Sequence, residues 1–374
     1  MDDLRVHSVH TTLVDLPLVR PHRFAVTSIE HQSAVIVRLR TADGIEGIGE
    51  AVVPGGPWWG GESIEGIKAL IDGYIAPLII GADVHRVEAL ARHLEKVIAG
   101  AQFAKAAVEM ALWDARGKAL GVPLYQLLGG LARDDIDVTW AIGIESVPVI
   151  VREIEAKLDE GAHRSFKLKM GHGDAADDVA RIVSVARELE GSTSLRVDIN
   201  GSWSELTATR WLPVLEEAGI DLIEQPVAAW NIEAQARLAS RLVVPIMADE
   251  SLRTAEDAMR LAQHGAADVF AVKIAKSAGL SAVQRIAAIG EAAGIGCHGG
   301  TTIETSVGAA ASAHLFCAVP GIDTGSELFG PLLLADDIVK EPIPYVNGRV
   351  APPHGAGLGV QLDESKVRKY ARPI

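Results

Sequence analysis

The chain has 374 residues, 48% of them hydrophobic, and its formal charge is 35 − 49 = −14. At roughly 100–200 residues per domain, this length predicts two domains or one large barrel with an addition. The acidic balance argues against binding nucleic acid or an anionic membrane, which requires basic surfaces, and two cysteines without a CxxC motif exclude a disulfide framework and a cysteine-based zinc site.

The first 120 residues are predicted to form strands followed by helices. Residues 1–55 alternate and are rich in β-branched residues, with a turn at Asp43–Gly44. From about residue 62 the apolar residues recur at helical spacing, and the last helix ends near Gly121. The start of the chain lacks a signal-peptide core, and no apolar run approaches the ~18 residues that span a bilayer. We therefore expect a soluble, cytoplasmic protein that begins with an α+β domain.

From about residue 137, short apolar strands alternate with helices. The predicted strand ends recur at similar intervals, near Gly143, Lys169, Asp198, Glu224, Asp249, Lys273, His298 and Glu327. One strand and its helix take about 25–30 residues, so eight such units predict a parallel (β/α) barrel, an α/β fold, rather than an open doubly wound sheet. In the Pro/Gly-rich tail, "GAGLG" at 355–359 lacks the following helix of a dinucleotide-binding loop.

Three successive predicted strands end at carboxylates, in "LRVDIN", "DLIEQP" and "PIMADE". Asp198, Glu224 and Asp249 would meet at the C-terminal mouth of the barrel, where catalytic groups lie. Carboxylates this close repel one another unless a cation lies between them, and a set of oxygen ligands favours Mg²⁺ or Mn²⁺ over zinc. The simpler alternative, a helix cap at each position, fits one strand better than three. Asn200 shares the face of Asp198 as a candidate ligand or substrate contact, and Glu250 is expected to point elsewhere in a supporting role.

Three lysines are predicted to surround this mouth. Strand alternation places Lys167 and Lys169 on one face, and Lys273 ends the sixth strand across from them. Ammonium groups that lie together near a cation lower each other's pKa, which suits proton transfer near neutral pH. The alternative is that these lysines only pair with the carboxylates. Lys276 stays unassigned, with a solvated loop position as one option.

Two further positions are candidates with open roles. Glu327 ends the eighth predicted strand and could be a ligand, a proton-relay partner or a loop carboxylate. Thr301, in "HGGTTIETSVG", lies in a small-residue loop that opens a helix, which suits either holding a substrate carboxylate or a plain helix cap.

Seven short motifs make the chain resemble the muconate-lactonizing subgroup of the enolase superfamily, and the similarity extends over its whole length. The motifs are "KLK" at 167–169, "VDIN" at 197–200, "IEQP" at 223–226, "ADES" at 248–251, "KIAKSAG" at 273–279, "GGT" at 299–301 and "GSELFGPLLL" at 325–334. The resemblance implies an N-terminal α+β capping domain at 1–130, a TIM-like (β/α)₇β barrel at 131–340 and a C-terminal segment at 341–374 that returns to the cap. It also implies a homo-octamer.

The resemblance implies a reaction as well. The substrate would be cis,cis-muconate, a small dicarboxylate of aromatic catabolism by the catechol and β-ketoadipate route, which closes to muconolactone through an enolate. Mn²⁺ or Mg²⁺ would bind the three strand-end carboxylates, and the metal and Lys167 would stabilise the developing charge. Lys169 would supply the proton, Lys273 would mainly stabilise charge, and Glu327 would assist.

Loops at residues 20–28 and 54–62 are expected to cover the mouth and to set specificity. Trp58 and Trp59, flanked by glycines, suit a mobile apolar lid or, alternatively, a surface aromatic pair. The subgroup usually has Ile and Tyr where this chain has Pro54 and Trp59, which leaves the choice between muconate and chlorinated muconates open.

Other activities use the same opposed lysines. N-acylamino acid racemases, o-succinylbenzoate synthases and dipeptide epimerases all have them. Dipeptide epimerases usually carry paired aspartates after strand eight, where this chain has "GSELFG". A non-catalytic barrel would have lost a lysine or a metal carboxylate, and none is missing.

Overall fold

The computed structural model describes residues 4–189, 191 and 193–373. Its strands are β1 Val6–Arg23, β2 Ser28–Thr41, β3 Glu46–Val52, β4 Ile136–Asp137, β5 Trp140–Ile142, β6 Ser165–Lys169, β7 Ser194–Asp198, β8 Leu222–Glu224, β9 Ile246–Ala248, β10 Val269–Val272, β11 Gly296–Gly299, β12 Tyr345–Val346 and β13 Arg349–Val350. Its α-helices are α1 Ile64–Leu70, α2 Ala76–Ile79, α3 Val87–Val97, α4 Gln102–Leu120, α5 Leu124–Leu127, α6 Val147–Asp159, α7 Ala175–Leu189, α8 Glu205–Glu217, α9 Ile232–Ala239, α10 Ala255–His264, α11 Leu280–Ala293, α12 Ser306–Ala318, α13 Gly330–Leu333 and α14 Glu364–Tyr370.

The first three strands form an antiparallel sheet in the order β1-β2-β3, on which α4 packs. Two glycines of β3 allow this packing, because a Cβ at Gly47 or Gly49 would overlap the backbone carbonyl of Ala111 or Ala107 in α4. The predicted turn is present, with Gly44 at φ +94°. The loop predicted at 20–28 is shorter than expected, because residues 20–23 still belong to β1 and Ser28 begins β2.

The central sheet is a parallel barrel wall in the order β11-β10-β9-β8-β7-β6-β5. The eighth predicted strand is reduced to a few bridging residues around Ser326. This residue pairs in parallel with both Gly299 and Val138, while Thr139 N donates to Ser326 O at 2.7 Å and Glu327 N donates to Gly299 O at 2.7 Å. These bonds close the wall, which confirms the predicted (β/α)₇β barrel.

The C-terminal part of the chain packs on both earlier regions. β12 and β13 form a small antiparallel sheet with β4, and the Arg372 guanidinium donates to Asp15 of β1 at 2.6 and 2.8 Å. The "GAGLG" stretch lies against α4, where Leu358 N donates to Asp114 Oδ1 at 2.8 Å. It is a packed turn, as predicted. No helix in the described part of the chain is both long and apolar enough to cross a membrane.

Two buried carboxylates of the N-terminal region hold helices of the barrel. Glu50 of β3 accepts bonds from Thr305 N at 2.8 Å and Gly308 N at 2.7 Å, at the start of α12. Glu109 of α4 accepts from the backbone N–H groups of Leu280 and Ser281, at the start of α11. Each carboxylate satisfies helix N–H groups that have no partner within the helix. Burial raises the pKa of both carboxyls to about 7.

Candidate active site

The predicted charged residues meet in one layer at the C-terminal ends of the barrel strands. β6 ends at Lys169, β7 at Asp198 and β8 at Glu224, and these residues pair side by side in the register of the sheet. Asp249 follows β9, and Lys273 follows β10. All five side chains are buried. Charged groups are seldom buried unless they are paired or bind a metal, so this layer is the strongest functional feature of the described chain.

On one side of the layer, Lys167 is surrounded by carboxylates. Its Nζ lies 2.8 Å from Glu224 Oε2 and 3.7 Å from Asp198 Oδ2, and it also contacts Glu327 Oε2. Lys169 shares its strand face and donates to Asp198. Burial opposes the charged form of Lys167, but the three carboxylates outweigh it and raise the pKa of this lysine well above its ordinary value.

On the other side, two lysines hold Asp249. Lys273 Nζ lies 2.7 Å from Asp249 Oδ2, and Lys276 Nζ donates to Asp249 O at 2.6 Å and to Oδ1. Lys276 is therefore a buried partner of this carboxylate rather than a solvated loop residue. Burial acts against ionised Asp249, yet the two ammonium groups keep its pKa below the ordinary value.

The carboxylates by themselves shift the pKa of two of the lysines upward, whereas the lowering expected beside a bound cation stays a prediction. Burial lowers the pKa of Lys273, but Asp249 and Glu224 raise it by a larger amount. The net shift is therefore upward, as it is for Lys167. For Lys273, the attraction of Asp249 and Glu224 exceeds the repulsion from Lys167.

The three strand-end carboxylates have the right chemistry for a hard divalent cation. They lie on consecutive strand ends, and burial followed by repulsion from Asp198 raises the pKa of Glu224 well above its ordinary value. Glu250 Oε2 is buried without a hydrogen-bond partner, and Glu327 Oε1 lies 3.4 Å from His298 Nε2. Within the described residues, no three acidic, histidine or cysteine side chains are gathered as a metal-ligand cluster, and Lys167 lies between Glu224 and Asp198. The donor set fits the predicted metal, and the ligand roles of Asp198, Glu224 and Asp249 stay a prediction.

Above the charged layer lies a partly open cavity. All eight residues predicted to act on or touch the substrate line it: Lys167, Lys169, Lys273, Glu327, Pro54, Trp59, Asn200 and Thr301. The structure therefore brings the predicted catalytic and substrate-binding residues together around one space, with the three predicted metal ligands beneath it.

The 54–62 loop forms one wall of the cavity. Trp59 is buried, so this residue is not part of a surface aromatic pair, and its ring lies 4.5 Å from Lys273 Nζ. Its indole N–H donates to Glu250 Oε1 at 2.9 Å. The neighbouring Trp58 donates instead to the Pro54 carbonyl at 2.6 Å, within the loop.

The loop after β11 is shaped by small residues, as predicted. A Cβ at Gly300 would lie 2.5 Å from Lys273 Cε, so the absence of a side chain there leaves room for the lysine. Thr301 accepts from Ile303 N at 2.9 Å and donates to Glu304. The cap of α12 is Thr305, so Thr301 is not the helix cap of the simpler alternative.

Sequence reasoning missed the aromatic residues that complete the cavity. His22, Phe24 and Phe329 line it together with Trp58. The His22 and Phe24 rings lie 4.7 Å apart, and Lys169 Nζ lies 5.4 Å from the Phe24 ring. Burial, and then Arg20 and the two β6 lysines, lower the pKa of His22 well below its ordinary value. The only sequence signal was their position in two stretches already singled out, "RPHRF" and "ELFGP".

Comparison with known proteins agrees with this geometry over the whole chain. Residues 149–366 match the family model "Enolase C-terminal domain-like", and residues 8–129 match "Mandelate racemase / muconate lactonizing enzyme, N-terminal domain". Muconate cycloisomerase 1 of Rhodococcus opacus is 48% identical over 372 residues, and that of Pseudomonas putida is 45% identical over 374 residues, each covering 100% of both chains.

Two solved structures are similarly close. The 2-chloromuconate cycloisomerase from Rhodococcus opacus 1CP has a TM-score of 0.96 at 49% identity, covering 99% of this chain and 100% of that one. The muconate lactonizing enzyme from Pseudomonas fluorescens, complexed with muconolactone, has a TM-score of 0.97 at 44% identity with the same coverage.

Proposed function

The chain belongs to the mandelate racemase and muconate lactonizing enzyme family of the enolase superfamily, and from that premise we propose that it is a cycloisomerase that converts cis,cis-muconate to muconolactone. The observation that carries this proposal is the pair of lysines, Lys169 and Lys273, that line one cavity above the strand-end carboxylates. Relatives that cover the full length of the chain bear the name muconate cycloisomerase.

The reaction rearranges one molecule without loss of atoms. One carboxylate oxygen of muconate forms a bond to the β-carbon of the double bond conjugated to the other carboxylate, and the π electrons of that double bond shift to make the other carboxylate an enolate. Lys169 then gives a proton to the α-carbon, which completes the lactone, and takes up a proton from solvent before the next turnover. A bound divalent cation supplies positive charge that lowers the energy of an enolate.

The chain's own residues orient the substrate and balance its charge. Lys167, held by Glu327 and Glu224, places a fixed ammonium beside the charge that develops on the enolate. The aromatic wall of Phe24, Trp59 and Phe329 packs on the diene and excludes water, so that these interactions act in a medium of low dielectric constant.

Purified protein incubated with cis,cis-muconate and Mn²⁺ should form muconolactone, detected by proton NMR. 2-Chloromuconate and a succinylated amino acid serve as competing substrates, and Lys169→Ala serves as the inactive control. Turnover of the succinylated amino acid without turnover of muconate would contradict the proposal and favour a racemase.

A second candidate is chloromuconate cycloisomerization. The solved 2-chloromuconate cycloisomerase is 49% identical to this chain, and the family resemblance implies that Pro54 and Trp59 depart from the Ile and Tyr usual in the subgroup. The ratio of kcat/KM for 2-chloromuconate to that for muconate decides between the two, and a ratio above one would make the chlorinated compound the preferred substrate.

We further propose that Mn²⁺ or Mg²⁺ is the cofactor, that the protein is a cytoplasmic homo-octamer, and that its domain boundaries lie near residues 130 and 340. Excess EDTA should abolish turnover, and either ion should restore it. Asp249→Asn should weaken Mn²⁺ binding in calorimetry while the barrel stays folded. Sedimentation of a species near the 39.5 kDa chain mass would contradict the octamer.

A further inference from the structure

Glu250 lies where the N-terminal region meets the charged layer, and one of its oxygens receives two hydrogen bonds. Trp59 Nε1 donates to Glu250 Oε1 at 2.9 Å from the 54–62 loop, and Asn200 Nδ2 donates to the same oxygen at 2.9 Å from the end of β7. One carboxylate therefore ties a loop of the first domain to the barrel wall.

Each donor in turn contacts one of the two opposed lysines. Asn200 Oδ1 accepts from Lys169 Nζ at 3.4 Å, and the ring of Trp59 lies 4.5 Å from Lys273 Nζ. We infer that Glu250 is a positioning residue for both sides of the cavity. It orients the Asn200 amide that contacts Lys169 and the Trp59 indole that contacts Lys273. This inference rests on the proposed function for its kinetic consequences.

The indole depends on this bond for its orientation. A buried tryptophan N–H needs an acceptor, and Glu250 Oε1 is the acceptor of the Trp59 indole. The Phe103 ring meets Trp59 edge to face at 6.1 Å and holds the ring by packing alone. Loss of the bond would leave the ring in place as an apolar body but free to tilt away from Lys273.

A double-mutant cycle tests the coupling. Trp59→Phe keeps an aromatic ring but removes the N–H, and Glu250→Ala removes the acceptor. Because a buried hydrogen bond is worth roughly two- to tenfold in an equilibrium, each single variant should lower kcat/KM for muconate by about that factor. The kcat/KM of the double variant should be no more than about twofold below that of the less active single variant, since both changes break the same bond.

Trp58 provides the matched control. It is an adjacent indole of the same cavity wall, but it donates to the Pro54 carbonyl rather than to Glu250. The losses in Trp58→Phe and Glu250→Ala should therefore multiply in the double variant. If the losses of kcat/KM in Trp59→Phe and Glu250→Ala also multiply in their double variant, the inference is overturned.

Two readouts do not depend on turnover. The fluorescence of Trp59 is obtained by subtracting the spectrum of Trp59→Phe. Acrylamide should quench this fluorescence more strongly in Glu250→Ala than in the parent. Quenching should return toward the parental level in Glu250→Gln, which keeps an acceptor oxygen. Calorimetric titration with Mn²⁺ should give a similar affinity for the parent and Glu250→Ala. Loss of Mn²⁺ binding would instead make Glu250 a metal ligand and overturn the inference.

These readouts separate the inference from the proposed function. If the parent does not lactonize muconate but the quenching of Trp59 still depends on Glu250, the proposed function fails and the positioning role stands. If muconate is turned over and Trp59 quenching is unchanged in Glu250→Ala, the inference fails alone.

Discussion

Removing the Lys167 ammonium should destabilise the metal-free protein by several kcal/mol. This group is the buried counter-charge of Glu224, at 2.8 Å, and of Glu327, and it lies 3.7 Å from Asp198. Taking away one partner of a buried ion pair costs about 3–5 kcal/mol, because the remaining charge is left uncompensated. Lys167→Ala leaves three carboxylates in this position, so we expect a loss at the upper end of that range in EDTA.

A divalent cation should recover much of this loss. A ligand at 100 times its Kd stabilises the folded state by about 2.7 kcal/mol. In Lys167→Ala the cation would also neutralise the carboxylates that have lost the Lys167 ammonium. The difference in unfolding free energy between parent and variant, measured by urea denaturation, should therefore shrink when Mn²⁺ replaces EDTA.

Lys157→Ala is the control for this experiment. Its ammonium pairs with Glu160 at 2.9 Å on the surface, where a salt bridge is worth about 0–1 kcal/mol. A Lys167→Ala variant as stable in EDTA as Lys157→Ala would refute the reasoning from buried charge. A difference from the parent that Mn²⁺ leaves unchanged would refute the assignment of the cation to these carboxylates.

Three further outcomes are expected. In D₂O, Lys169→Ala should lose both lactone formation and exchange of the α-proton of muconolactone, whereas Lys273→Ala should lose turnover but keep part of the exchange; the opposite pattern in proton NMR would reverse the two roles. Gly300→Ala should lower kcat at least tenfold, with an unchanged circular dichroism spectrum, because the new Cβ lies 2.5 Å from Lys273 Cε; a parental kcat would contradict this. Burial raises the pKa of Glu109 from 4.5 to about 7, so its contribution to stability is full below pH 4.5 and is lost as pH rises through 7. The unfolding free energy of the parent relative to Glu109→Gln should then fall by about 3 kcal/mol between pH 4.5 and 8, and a rise over this range would contradict the shift.

The sequence by itself determined the barrel and the composition of its charged layer. A strand alternates every two residues and a βα unit has a nearly constant length, so local pattern placed Lys167 and Lys169 on one face and located three strand ends at carboxylates. These features depend on backbone geometry within a few residues, and the structure has them where the sequence predicted them.

Only the tertiary structure decided which lysine contacts which carboxylate. Lys167 contacts Glu327 from 160 residues away, and Glu224 together with Glu327 and Asp198, rather than the neighbouring Lys169, raises its pKa. The aromatic wall has the same origin, because His22 and Phe329 come from opposite ends of the chain and each gives no periodic signal of its own. Coulomb energy and packing depend on distance in space, and alternation along a strand fixes a side chain's face but not the partner that the fold places opposite it.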